Sequence, residues 1–505
     1  MDHHAEGPVL SRTLLVGVAL PGVPGRAAVE LAGPRVVWTG PADAAADRPA
    51  DRVEQLDGTL MTSAFVDAHV HATASGLLVT GLDLTGCGSP AELLDAVAAA
   101  PGPLVWGHGW EEDRWPGARL PSRTELDRAA GARPVYLSRI DVHSALVSTA
   151  LVDRAPGTVG AAGWTPDGAL TADAHHHVRR TALAGLDPAQ RDLAQEAFLR
   201  HAASRGVAEV HECAGPEISG EEDLAALLQR ADGPGHACSS GSAGPAVGRP
   251  AVVGYWGEAV RTPEQARALC RLTGAHGLAG DLFVDGSLGS RTACLAAPYL
   301  DAPDTRGRRY LAQDTLVEHV VACTLAGVRA GFHVIGDAAV ESAVTAIEEA
   351  AARTSVAAVR AAAHRLEHLE MVDAGQAGRL AALGVVASVQ PLFDAAWGGP
   401  TGMYAARLGE RRARGMNPLA ALHAAGVELA FGSDTPVTPV DPWATIRAAT
   451  AHRTPGSSVG EAVALAAHTG GRPVPVAGGP ATYALWDDDR CLRTVREGRL
   501  LHRTG

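Results

Sequence analysis

The chain has 505 residues and not one lysine, since all 43 of its basic side chains are arginine. Any mechanism that needs a lysine amine, a Schiff base included, is thereby excluded. Its seven cysteines, at positions 87, 213, 238, 270, 294, 323 and 491, include no Cys-x-x-Cys pair. That absence excludes a zinc knuckle or a dithiol redox centre and leaves reduced, mostly buried thiols. Positive charge is also short: the formal net charge is −13 and no arginine run forms a basic stripe, which argues against nucleic acid as a partner. The apolar stretch at 14–20 is too short to span a bilayer, and the opening Met-Asp-His-His-Ala-Glu is acidic where a secretory leader is basic. The expectation is a cytoplasmic protein with no membrane contact. An apolar share of 46% with 20% charged residues suits a globular enzyme, and the length suggests more than one lobe.

Residues 12–62 read as short β segments at 13–20, 27–31, 35–39 and 52–56, broken by Pro-Gly and Asp-Gly turns. The last residues behave alike, with segments 481–486 and 493–500 around an Asp-rich turn. Chain ends commonly lie close together, so 1–62 plus 471–505 is expected to form one small β domain. Between 63 and 470, short apolar strands alternate with helix-length amphipathic stretches such as 188–204, 338–352 and 442–450, the pattern of parallel β/α units. Eight strands are expected, at 64–71, 207–211, 251–256, 281–285, 328–333, 363–368, 385–389 and 428–434. The fold class is therefore an α/β barrel of the (β/α)8 TIM type. Residues 73–200 hold two further strand-like segments, 103–106 and 134–140, and are expected to form a cap inserted over the barrel mouth. The stretch 231–250, rich in Gly, Ser, Ala and Pro, reads as a flexible surface loop.

Nearly every expected strand ends in a polar or aromatic residue, and barrel chemistry sits at the C-terminal ends of strands. His69-Val70-His71 closes the first, and period-two alternation points both imidazoles to one side. His333 and His368 end the fifth and sixth strands, and Gly432-Ser433-Asp434 delivers a carboxylate at the eighth. Each alone is ordinary. Together they place candidate ligands at four strand ends, and neutral imidazoles with a carboxylate suit zinc, iron, nickel or manganese.

At this point the chain resembles the amidohydrolase superfamily, in its YtcJ-like branch that includes N-substituted formamide deformylases. The resemblance runs nearly end to end and rests on 65–71 (Phe-Val-Asp-Ala-His-Val-His), Gly109-Trp110, Leu120-Pro121, Leu126-Asp127 and Asp285-Gly286-Ser287 with the residues to Ala293. It continues through His333-Val334-Ile335-Gly336-Asp337, Arg365-Leu366-Glu367-His368 and Gly432-Ser433-Asp434-Thr435-Pro436. It implies a barrel with a small β-sandwich from both chain ends, a divalent metal, zinc first, held by His69, His71, His333, His368 and Asp434, and hydrolysis of a C–N bond. A bound ion lowers the pKa of its water from about 15.7 to about 7, giving a metal-bound hydroxide. Asp434 would then serve as general base and acid, with His368 beside it.

Many relatives carry a lysine four residues before Asp-Gly-Ser, carbamylated to bridge two metals, and here that position is Asp281. Aspartate reaches roughly 5 Å less far than that lysine, so unless its strand shifts inward or Glu212 helps, one tight site is expected, on His69, His71 and Asp434 with help from His333. Candidates for substrate contact are His143, Arg291, Trp110, His211 and the run His175-His176-His177 with Arg179, and Glu212 is a candidate second acid. Arg291 could instead pair with Asp285. Trp106, Trp115, Trp256 and Trp397 join Trp110 as candidates to rim the mouth. The expected partner is a small molecule bearing an amide, formamide or related group, and a homo-oligomer is compatible with the sequence. Two rivals differ in chemistry: a deaminase on the same site, which would release ammonia, and an inactive barrel that binds ligand without turnover.

Overall fold

The computed structural model describes residues 11–232 and 247–504. Most of the Gly/Ser-rich stretch at 231–250, Cys238 included, lies outside them; the remaining six cysteines are free thiols. Eight parallel strands form the central sheet in the order Phe65–Val70, Val207–Ala214, Ala251–Trp256, Gly277–Leu278, Arg329–Val334, Arg365–His368, Val386–Val389 and Glu428–Phe431. The last strand returns to the first: Asp434 N donates to the His69 carbonyl at 2.8 Å, and His71 N to the Thr435 carbonyl at 3.0 Å. The sheet is thus a (β/α)8 barrel, closed at the same end that carries His69 and His71. Strands Arg365–His368 and Val386–Val389 are buried at every position, as parallel strands wrapped by helices are.

The fourth strand differs from expectation. It is Gly277–Leu278, and residues 281–285 follow it as an irregular segment touching the fifth strand only through a bridge from Phe283 to His333. Gly280 sits between them at φ 74°, a left-handed conformation that glycine enters without cost. The apolar Leu282-Phe283-Val284 run imitates a strand, but its backbone departs from the sheet after that glycine.

Helix Pro188–Ser204 starts as its sequence dictates, with Asp187 and Gln190 forming a reciprocal capping box and Pro188 in the first turn. It packs on helix Ala72–Thr80, and its Phe198 and Leu199 belong to the barrel's hydrophobic core. Between these helices the chain builds a second sheet of Leu82–Asp83, Val105–Trp110, Val135–Arg139, Ser144–Val147 and Leu170–Thr171. Its own apolar clusters centre on Leu93, Trp110 and Leu137 and on Tyr136 and Val178.

A third sheet joins both chain ends, with Tyr483–Asp487 pairing Leu60–Ser63 antiparallel. The segment expected as one strand at 493–500 is a hairpin of Arg490–Arg496 and Arg499–Arg503. Its turn, Glu497-Gly498, has φ of 48° and 76°, the two positive values of a type I′ turn. No helix of the described residues is long and apolar enough to cross a membrane.

Candidate metal centre

The first and eighth strands are locked together around the candidate ligands. Asp67 accepts from Ser433 N at 2.8 Å and from Ser433 Oγ at 2.7 Å, tying the strand that carries His69 and His71 to the turn that carries Asp434. A Cβ at Gly432 would stand 2.5 Å from His69 N, so only glycine allows this approach. Glu212 accepts from Ala72 N at 2.7 Å and fixes the backbone just after His71.

Four side chains then meet. His71 Nε2 lies 3.1 Å from Asp281 Oδ2 and 3.2 Å from Asp434 Oδ1, and His69 Nε2 lies 3.5 Å from Asp281 Oδ1 and 3.4 Å from Asp434 Oδ1. Ligand atoms about 2.0–2.1 Å from a tetrahedral zinc stand about 3.3–3.4 Å apart, so these separations fit the edges of one coordination sphere. His368 Nε2 is 3.6 Å from Asp281 Oδ1, and the His333 ring centre is 4.4 Å from that of His368. The donor atoms of His69, His71 and Asp281 lie within 4.8 Å of one another, and so do those of Asp281, His333 and His368. The expectation that aspartate is too short to reach both groups is therefore corrected. The shortfall held for a regular strand through 281–285, and after the left-handed Gly280 that segment is irregular, the exception the length argument left open.

Among the described residues, His69 Nε2, Asp281 Oδ1, Asp434 Oδ1, His368 Nε2 and both ring nitrogens of His333 are buried without a hydrogen-bond partner. Leaving one such atom unsatisfied costs about 1–3 kcal/mol, and those of His69, His368, Asp281 and Asp434 converge with one nitrogen of His333, whose Nδ1 lies 3.8 Å from Asp285 Oδ1. A divalent ion satisfies them, and the donor set is right for one. The electrostatics agree. Burial alone would lower the His71 pKa, yet the facing carboxylates of Asp281 and Asp434 raise it to about 9. Burial opposes ionisation of Asp281 and Asp434, and the imidazoles, His69 foremost, hold both below the usual carboxylate range. The two ionised carboxylates hold protons on the imidazoles, and a divalent ion bound there would displace those protons and take their place. At His333 burial, with His368 nearby, outweighs the pull of Asp281 and Asp434 and pushes the pKa down to about 3, leaving its imidazole neutral and able to coordinate.

Two positioning groups escaped sequence reading. Glu367 accepts from His69 Nδ1 at 2.9 Å, and Gln390 Oε1 accepts from His368 Nδ1 at 2.9 Å, so each ring offers its Nε2 to the centre. Glu367 is itself held by the Arg365 guanidinium, at 2.5 and 2.9 Å, inside the barrel. The available signals were a charge pair at alternate positions of an apolar strand, and Gln390 ending the seventh strand as ligands end others.

Three expected substrate contacts are corrected. Arg291 pairs with Asp301 at 2.7 Å, away from the site, and Asp285 accepts instead from the backbone of Cys294, Ile335 and Gly336. His211 is held between Glu209 and Arg365 and meets Tyr255 edge-on. Trp110 is packed into the core of the second sheet with its N–H donated to the Leu137 carbonyl. Trp115 and Trp256 are likewise core, whereas Trp397 lines a chamber with Phe393, Met403 and Tyr404 that opens onto His333, His368 and Asp434. His143 lies in the same wall, its ring centre 5.1 Å from that of His333. His175, His176 and Arg179 of helix Ala172–Ala184 line a cavity shared with His71, Asp281, His333, His368 and Asp434.

The profile of the amidohydrolase family matches residues 52–473. YtcJ of Bacillus subtilis (strain 168), which its name assigns to the amidohydrolases, is 28% identical over 437 residues, covering 81% of this chain and 77% of that protein. Protein LONG AFTER FAR-RED 3 of Arabidopsis thaliana is 28% identical over 413 residues, covering 78% and 69%. An uncharacterised metal-dependent hydrolase from Pyrococcus furiosus superposes with a TM-score of 0.70 at 26% identity, over 95% of this chain and 99% of that one.

Proposed function

Because the chain belongs to the amidohydrolase family, we propose that it hydrolyses a C–N bond, in an amide, formamide or related group, of a small molecule. The observation that carries this reading is the convergence of unpartnered imidazole nitrogens and carboxylate oxygens at the barrel mouth. His69, His71, Asp434 and Asp281 would hold a divalent ion, zinc first, which when bound supplies Lewis acidity toward a carbonyl and a water. Asp281, His333 and His368 offer a second, weaker set, because Asp281 is then their only carboxylate and is shared. One tight ion per chain is the expected content.

The chain's own groups supply the rest. Asp434, held below the ordinary carboxylate range by its imidazole neighbours, is ionised at neutral pH and able to accept a proton at its carboxylate and return it to a leaving nitrogen. His368, fixed by Gln390, and His143 flank the chamber where the scissile group would lie. Phe393, Trp397 and Met403 exclude water and favour an apolar acyl or nitrogen substituent.

Elemental analysis of the purified protein, paired with a panel of N-formyl, N-acyl and cyclic amides, tests the proposal. The expected result is bound divalent metal, release of carboxylic acid and amine, loss of activity on chelation and recovery on adding metal. Turnover by metal-free protein would refute it, and release of ammonia alone would make the enzyme a deaminase.

A further inference from the structure

Three chambers that share lining residues surround the centre, and their walls contain four arginines: Arg139, Arg179, Arg180 and Arg308. Three of these are neutralised. Arg139 is paired with Glu112, Asp113 and Asp141, Arg180 with Glu217, and Arg308 with Asp173. Arg179 is only 7% exposed and makes no hydrogen bond or ion pair with any described residue. It lines the same cavity as His143, His176, Asp281, His333 and Asp434. Its neighbour His175 is engaged by the Tyr136 hydroxyl at 2.8 Å and offers the guanidinium no negative charge.

A largely buried arginine with no acid beside it is costly, and packing does not explain it because the side chain lines a cavity. The carboxylates across that cavity do not balance it. Asp281 and Asp434 together offset one divalent ion, which leaves the arginine's charge over. An anion placed between the guanidinium and the centre would satisfy both, and the planar fork of arginine matches a carboxylate bidentately.

Resting on the amide hydrolysis proposed above, we propose that Arg179 is the specificity-determining anchor for a carboxylate on the substrate. The substrate is then an amide with its apolar group toward Phe393 and Trp397 and a carboxylate toward helix Ala172–Ala184.

Calorimetric titration of the purified protein with N-benzoylglycine and with its uncharged carboxamide tests this, in the wild type, Arg179→Met and Arg179→Lys. The wild type should bind the carboxylate about 10- to 100-fold tighter than the carboxamide, the range for a hydrogen bond to a charged group. Arg179→Met should bring the two within about threefold while leaving carboxamide affinity unchanged, and should melt no lower than wild type, because no internal partner loses its charge. Arg179→Lys, with charge but no fork, should retain a reduced preference. Equal affinities or no binding in the wild type would overturn the proposal. So would a preference that survives in either variant undiminished, or a methionine variant that melts well below wild type. Cleavage reports separately on the reaction: preferential binding without hydrolysis of either probe counts against C–N hydrolysis and leaves the anion site standing.

Discussion

Asp434 and His368 hold φ of 54° and 71°, in the left-handed region that residues with a Cβ enter at a cost of order 1–3 kcal/mol. Such outliers persist where surrounding contacts over-determine them, and here the hydrogen bonds of Asp434 N to His69 and of His368 to Gln390 do so. Asp434→Asn keeps size and backbone preference but removes the proton acceptor. Its expected effect is a fall in kcat of about 10²- to 10⁴-fold with an unchanged circular dichroism spectrum. Retained kcat in steady-state assays would move the proton-transfer role to another group. At this scale the alternation of His69 and His71 was legible, because a strand's period of two fixes which side chains share a face. Arg291, His211 and Trp110 were not, because a long polar or aromatic side chain near a strand end turns toward whichever partner the fold supplies. Asp301, Glu209 with Arg365, and the Leu137 carbonyl are distant in sequence or unremarkable in it.

Two elements set the geometry of the centre. The closure of the eighth strand on the first depends on Gly432, whose added Cβ would meet His69 N at 2.5 Å. Gly432→Ala is expected to separate the two strand ends, lowering stability by about 1–3 kcal/mol and weakening metal retention. Denaturant unfolding and metal content after dialysis measure both effects, and a variant that keeps its metal would show that the neighbouring backbone yields. The other element is the segment after Gly277–Leu278. The apolar residues at 282–284 read as a strand because composition reports burial, and burial is common to a barrel strand and to an irregular segment pressed against it. The consequence fell on Asp281: an argument from side-chain length placed it short of the histidines, and the displaced backbone supplies the missing distance.

Across the whole molecule, three helices meet beneath the barrel rim at Asp223. Its carboxylate accepts from Thr73 Oγ1 at 2.8 and 2.9 Å and faces Arg191 at 3.3 Å. Burial raises its pKa to about 6, against the opposing hydrogen bond from Thr73. Unfolded aspartate titrates near 3.9, so the folded state binds the extra proton between those values. That contribution is full below about pH 4 and is lost as pH rises to about 6, a decline of about 2–3 kcal/mol. Asp223→Asn, neutral throughout, should flatten this part of the stability profile, as urea unfolding at intervals from pH 4 to 7 would reveal. A slope identical to wild type would mean that Asp223 is already ionised at the low end.

By itself the sequence determined the repeating β/α pattern, the meeting of both chain ends in one sheet and which candidate ligands stand at strand ends. These follow from local rules of periodicity, turn chemistry and residue type, which need no knowledge of distant contacts. Only the tertiary structure decided where Asp281 stands, that Glu367 and Gln390 orient the imidazoles, and that Arg179, unlike the other three arginines of the chambers around the centre, has no acid paired with it among the described residues. Each depends on groups brought together across at least 20 residues of chain or on a backbone turn that composition does not encode. Pairing and orientation are properties of the closed barrel, because a buried charge or imidazole takes its state from whatever surrounds it in space.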